Sequence, residues 1–264
     1  MKKKQTHRRL NILVSNDDGI DAPGIYALVK ELRRIGTVSV VAPERQQSAV
    51  GHAITMNVPL RAREFYKNGK FFGHAVDGTP ADCVKLAVKA LLKQKPDIVV
   101  SGINHGANTA ISIIYSGTVS AATEGTVLGI PSIALSLTTY GKADFSYAAS
   151  FARKLIPFVL KHGLPDGVLL NVNIPPLRAR EIKGVIVTRQ GRAIWDDMFD
   201  ARRDPANKEY YWLTGALENR DLEQGVDQWA VSNNYISVTP IHYDLTNYPM
   251  FEKMLEWGIE KLKN

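Results

Sequence analysis

The chain is poor in cysteine: Cys83 is the only one among its 264 residues. An internal disulfide and a cysteine-rich zinc site are therefore excluded, and the usage fits a reducing cytoplasm. There is also no long apolar run. The uncharged stretch Gly125 to Gly141 is broken by Gly, Pro, Ser and Thr, so it reads as helix end, turn and strand rather than a membrane span. No apolar segment as long as a signal-peptide core follows the basic start of the chain before Asp17, which argues against a secretory signal. Internal repeats and low-complexity segments are absent as well.

The net charge of +7 is unevenly placed. Residues 1–9 hold Lys2, Lys3, Lys4, Arg8 and Arg9 and no acidic residue, which leaves only +2 for the rest. A short basic tail of this kind is expected to be disordered and solubilising. Nucleic-acid recognition needs a basic face rather than a tail, so nucleic acid is not an expected partner. Hydrophobic content of 45% and charged content of 22% are ordinary for a globular protein. At this length one large α/β domain over residues 10–264 is favoured over two equal ones.

Short apolar runs alternate with helical spacing through the first two-thirds of the chain. Ile12–Val14, Val38–Val41, Ile98–Val100, Ile133–Leu135 and Val168–Val172 read as strands, and Phe65–Phe72 as a hairpin around Asn68-Gly69. Pro23–Ile35, Ala81–Lys93, Val119–Leu128 and Tyr147–Lys161 carry helical periodicity. The alternation predicts βαβ units and a mostly parallel, Rossmann-like sheet with flanking helices. After Arg189 the pattern changes. Residues 190–232 mix Trp, Tyr, Arg, Asp and Gly without clear periodicity and read as an extended C-terminal arm or hairpin that packs on a partner subunit. A strand, Tyr235–Thr239, and an amphipathic helix from about Tyr248 follow.

Four loops rich in small polar residues each follow a strand or open a helix. They are Asn16–Gly19, Ala42–Gly51, Asp77–Asp82 and Ser101–Asn108, the last running on into Tyr115–Thr118. In a parallel sheet they converge on one crevice. Asp17 and Asp18 are adjacent anions that repel unless neutralised, and a hard divalent cation such as Mg²⁺ does this with carboxylate oxygens. Asp-Asp-Gly is equally ordinary cap and turn chemistry. Ser116-Gly117-Thr118 precedes a small-residue helix and reads as a phosphate cradle or as a plain N-cap.

Several phosphate-handling classes are excluded. The carboxylates are adjacent rather than separated by one residue, there is no G-x-x-x-x-G-K-[ST] loop, and Lys89 stands where a cysteine phosphatase needs an arginine six residues after Cys83. Cys83 is then a core residue. His105 reads as a rim residue of the fourth loop, and His242 as a supporting or interface residue.

Asn16-Asp17-Asp18-Gly19, Ala42-Pro43 with Gln47-Ser48, Asp77–Asp82, Ser101-Gly102-Ile103-Asn104 and Tyr115-Ser116-Gly117-Thr118 together resemble the SurE (stationary-phase survival protein) nucleotidases. Val238-Thr239-Pro240 is similar to that family too, and the resemblance runs from about residue 10 to 250. It implies a metal-dependent nucleotidase acting on nucleoside 5′- and 3′-monophosphates, with short polyphosphate as a side substrate. It also implies a homodimer or homotetramer that exchanges its C-terminal arm. By position, Asp17, Asp18, Ser48 and Asn104 would hold one Mg²⁺ or Mn²⁺, with Asp17, Asp18 and Asn104 catalytic. Ser116, Gly117 and Thr118 would bind phosphate, with Asn108 nearby. Thr109–Ile114 lacks the acidic residues common in relatives, so no general acid is assigned there. The rival reading is a non-catalytic nucleotide- or nucleic-acid-binding module.

Overall fold

The computed structural model describes residues 9–221, 223–259 and 262. The basic tail expected over residues 1–9 lies, apart from Arg9, outside them. In chain order the elements are β1 (Leu10–Ser15), α1 (Pro23–Leu32), β2 (Gly36–Pro43), β3 (Ala62–Lys67), β4 (Lys70–Val76), α2 (Pro80–Leu86), β5 (Ile98–His105), α3 (Ser112–Tyr115), α4 (Gly117–Val127), β6 (Ser132–Leu137), α5 (Ser146–His162), β7 (Val168–Ile174), β8 (Gly184–Val187), β9 (Ile194–Arg203), β10 (Glu209–Glu218), α6 (Asp227–Ser232), β11 (Tyr235–His242) and α7 (Tyr248–Trp257). A π-helical turn, Ala87–Leu91, extends α2.

Nine strands form one sheet in the order β3-β4-β2-β1-β5-β6-β7-β11-β8. Strands β4, β2, β1, β5, β6 and β7 run parallel, while β3 and β11 are antiparallel to their neighbours β4 and β7. The apolar strand runs are continuous because both faces are covered. Ile12, Val14, Val40, Val100, Ile133 and Leu135 pack under α1 and α5, through Ile25, Leu28, Leu32, Ala152 and Ile156. The alternate residues Leu13, Val41 and Val99 pack on the other face with Val84, Ala87, Ala121 and Ile130. Successive side chains of a strand point to opposite faces, so one short run serves both cores.

The parallel arrangement brings the C-terminal ends of β1, β2, β4 and β5 to one edge, and the four polar loops leave from that edge. Three elements differ from expectation. Strand β5 runs on through Ser101–His105, with Asn104 and His105 paired to Ser136 and Leu137 of β6, so the first part of the expected fourth loop is strand. Strand β11 continues through Pro240 to His242. Pro240 stays paired with Leu170 of β7, and proline is tolerated because β8 pairs only with Tyr235–Val238, so on that side no ladder partner awaits the missing N–H. The arm is also narrower than 190–232. The β9–β10 hairpin spans 194–218, whereas α6 folds back onto β11 with Val226 and Ala230 buried. Helix α6 has only six residues, too few to reveal a helical period in sequence.

Cys83 is fully buried on α2, and burial raises its thiol pKa well above the ordinary value. A disulfide reagent such as DTNB is therefore expected to leave the native protein unmodified and to titrate one thiol after denaturation. Rapid stoichiometric labelling of the native chain would show that Cys83 is not a core residue.

Candidate active site

Asn16 opens the first loop and locks it: its Nδ2 donates to the Gly19 carbonyl at 2.8 Å. The turn holds Asp17 at 6% exposure and leaves Asp18 half-buried. Neighbouring loops fasten to the same turn. Gln47 N donates to the Asp17 carbonyl at 2.8 Å, and Ile20 N to the Pro43 carbonyl at 2.9 Å. His105 N, one residue past Asn104, donates to Asp18 Oδ2 at 3.1 Å. From α4, the Thr118 hydroxyl donates to Asp17 Oδ1. Gly117 makes that approach possible, because a Cβ there would stand 2.7 Å from Asp17 Cβ.

The two carboxylates are electrostatically uncomfortable. Burial raises the Asp17 pKa from 3.8 to about 6, and the Asp18 charge adds to the rise; hydrogen bonds from Thr118 only partly offset it. Burial also raises Asp18, against the opposing effect of His105. No lysine or arginine contributes a neutralising charge at either carboxylate. Ser15 Oγ and Asn16 Oδ1 at the end of β1, and Ser101 Oγ on the residue of β5 paired with Ser15, are buried with no protein partner, which is uncommon for such atoms. Asn104 Nδ2 donates to the Gly106 carbonyl at 2.9 Å. Ser48 is exposed on the second loop, where its Oγ accepts from Gln46. These are hard oxygen donors, the set that Mg²⁺ and Mn²⁺ prefer. Among the described residues no cluster of three or more His, Cys, Asp and Glu exists, so any cation site here combines the two carboxylates with neutral oxygens.

The other expected residues are distributed as follows. Ser116 is the N-cap of α4, its Oγ accepting from Val119 N at 3.1 Å. Thr118 faces Asp17, so the start of α4 and the carboxylate pair form one unit. Asn108 lies deeper: its N–H and Nδ2 donate to Asn173 Oδ1 and Ser136 Oγ, and its carbonyl accepts from Asn171 and Asn173. His105 sits at the rim, with its ring against Phe145 and Nε2 at 2.7 Å from the Gly141 carbonyl. His242 ends β11, which runs antiparallel to β7 and so finishes at the opposite sheet edge.

A cleft of about 640 Å³ adjoins Asp18, bordered by Gly19, Arg45, Gln46, His105, Lys142 and Phe145. Two contacts that sequence reasoning missed hold its neighbouring loop. Asp82 accepts from Thr55 N and Oγ1 at 2.9 and 2.6 Å while capping α2 through Thr79. Buried Glu124 meets His52 Nε2 at 3.0 Å and Lys85 Nζ at 3.1 Å. His52 and Glu124 are 72 residues apart, so no local pattern signals the pair.

The family model described as Survival protein SurE matches residues 12–197. A relative from Syntrophobacter fumaroxidans named 5′-nucleotidase SurE is 52% identical over 250 residues, covering 95% of this chain and all of the relative. One of the same name from Moorella thermoacetica is 53% identical over 238 residues, covering 90% and 92%. The crystal structure of the SurE protein from Aquifex aeolicus aligns with a TM-score of 0.81 at 44% identity, covering 94% of this chain and 99% of that one.

The raised Asp17 pKa fixes the sign of a stability prediction. The native state binds the proton more tightly than the unfolded chain, so stability falls as pH climbs from about 4 to about 6 and then stays low. Asp17→Asn removes that cost. In EDTA it should stabilise the protein at pH 8 by on the order of 1–3 kcal/mol, with the gain fading toward pH 4. Urea unfolding at both pH values checks this; equal or lower stability of the variant at pH 8 contradicts the desolvation argument.

Proposed function

The chain belongs to the SurE family, and we propose on that footing that it is a metal-dependent 5′-nucleotidase, releasing inorganic phosphate from nucleoside monophosphates. The observation that carries the reading is the adjacent Asp17–Asp18 pair at the parallel-sheet edge, Asp17 buried and Asp18 half-buried, on which His105 is the one basic side chain acting among the described residues. A non-catalytic phosphate-binding module has no use for two carboxylates, which repel the ligand.

Asp17, Asp18, Asn104 Oδ1 and Ser48 Oγ are the groups assigned to hold one Mg²⁺ or Mn²⁺. When bound, such an ion polarises the phosphoryl group and makes a water more acidic. The protein supplies the rest. Thr118 fixes the orientation of Asp17. Gly117 and the N-terminus of α4 lie against the same carboxylate, where main-chain donors and the helix dipole favour the equatorial oxygens of a phosphate. Asp18 is the more exposed of the pair and lines the cleft, which supports assigning to it the orientation of the attacking water. The cleft beside it takes the leaving nucleoside, with Arg45 and Lys142 at its border. Transfer is directly to water.

The β9–β10 hairpin supports the assignment of a partner subunit. Phe199, Tyr211, Trp212 and Leu213 all remain exposed, Leu213 at 61%, and aromatic side chains of this kind anchor interfaces. A second copy of the chain is the proposed partner.

Phosphate release from AMP in Mg²⁺ or Mn²⁺ should vanish in EDTA and return when metal is restored. Asp18→Asn should cost at least roughly 100-fold in kcat, because a metal Lewis acid supplies several kcal/mol. Metal-independent release, or a fully active variant, would overturn the assignment. Light scattering should give a mass at least twice that of one chain; a clean monomer at micromolar concentration would remove the hairpin's proposed role.

A further inference from the structure

The segment Thr109–Tyr115 carries the chain from the fourth loop into α4. Its conformation is not self-supporting, because Ala110 adopts φ +49°, a left-handed geometry unfavourable for a residue with a Cβ. The support comes from Asp227, 117 residues further on. Asp227 is completely buried at the start of α6. Its Oδ2 accepts from Ala110 N at 2.9 Å; its Oδ1 accepts from Gly191 N at 2.9 Å and Gln228 N at 2.7 Å.

The residues around the carboxylate strengthen the same clamp. Thr109 Oγ1 donates to Gln228 Oε1 at 2.6 Å, and Gln190 Nε2 donates to the Ala110 carbonyl at 2.8 Å. A Cβ on Gly191 would stand 2.8 Å from Asp227 Oδ1, so only glycine leaves the carboxylate its place. The clamp reaches the hairpin and the site in opposite directions. Ile111 N donates to the Ala193 carbonyl at 3.4 Å, and Trp195 Nε1 to Ser112 Oγ at 3.3 Å. At the far end of α3, the Tyr115 carbonyl accepts from Gly51 N at 3.0 Å, on the loop that bears Ser48.

We propose that Asp227 is a positioning residue for the phosphate-binding end of the site: by gathering three N–H donors from Ala110, Gly191 and Gln228 it fixes α3 between the hairpin base and the Ser48 loop. The proposal rests on the nucleotidase reading above. Three donors meet the carboxylate, so an asparagine must turn its amide NH₂ toward at least one of them.

The test is Asp227→Asn combined with Ala110→Gly, since glycine accepts φ +49° without help. Wild type, both single variants and the double variant are assayed for kcat and KM on AMP and for melting temperature. Asp227→Asn should lower kcat/KM by about 10- to 100-fold, the scale of a small misplacement of reacting groups. Ala110→Gly alone should stay near wild type, and in the Asp227→Asn background it should recover at least about fivefold of kcat/KM. A purely structural role predicts a lower melting temperature with kcat/KM within twofold of wild type, and that result overturns the proposal; so does a loss that Ala110→Gly fails to relieve. Should Asp227→Asn not fold, Gln190→Ala removes an exposed partner of the same turn; a fewfold fall in kcat/KM at unchanged melting temperature supports the clamp, and no change refutes it. If the wild type itself releases no phosphate from AMP, the nucleotidase reading fails instead. Amide exchange then judges the clamp alone: faster exchange at Ala110 and Gly191 in Asp227→Asn upholds it, and unchanged exchange rejects it.

Discussion

Two neighbouring carboxylates, one buried and one half-buried, with no lysine or arginine among the charges that act on them are an unfavourable arrangement, and much of this structure exists to maintain it. Left alone, Asp17 and Asp18 would turn outward, hydrate and separate. They do not because the turn that carries them is bonded from every side: Asn16 closes it from within, Gln47 and Ile20 tie it to the second loop, His105 reaches it from β5 and Thr118 from α4. Burial raises both pKa values, a cost that a bound cation would offset. A site built to be neutral without metal would have an arginine or lysine among these contacts.

The same device recurs at a distance from the carboxylate pair. Asp82, Glu124 and Asp227 are each buried, and each accepts from a loop or turn that is remote in sequence. Asp82 holds the Thr55 segment on α2, Glu124 holds His52 beside α4, and Asp227 holds Ala110 against Gly191. Loops long enough to surround a substrate have little apolar surface with which to pack. A buried carboxylate with several N–H or O–H donors gives them a fixed seat, since leaving it unsatisfied costs more than an ordinary hydrogen bond contributes. The rigid sheet below makes these seats accurate, because its strands are locked by two apolar layers.

The hairpin is the opposite case. Its ladder pairs ten residues of β9 with ten of β10, yet it is a two-stranded sheet and leaves large apolar side chains in solvent. An isolated two-stranded ribbon is marginally stable in water, which is the physical basis for assigning it a partner.

Sequence alone determined the parallel sheet, because fully buried strands must be short continuous apolar runs, and Ile12–Val14 or Ile98–Val100 admits no other reading between helical segments. It also determined the buried place of Cys83, and it located Asp17 and Asp18 on a loop at the end of β1; Asn104, expected on a loop, lies within β5, and Ser116–Thr118 open α4. Five ordered motifs identified the family, where each alone was ordinary turn or cap chemistry. Tertiary structure decided what each side chain does. That Thr118 turns to Asp17, that Asn108 joins Asn171 and Asn173, and that Trp229 stacks on Tyr235 in the body rather than joining the hairpin are contacts between remote segments. The same holds for the clamps at Glu124 and Asp227. Their donors and acceptors meet only once the sheet has fixed the distances between loops, and hydrogen bonds of that kind leave no periodic trace in a chain.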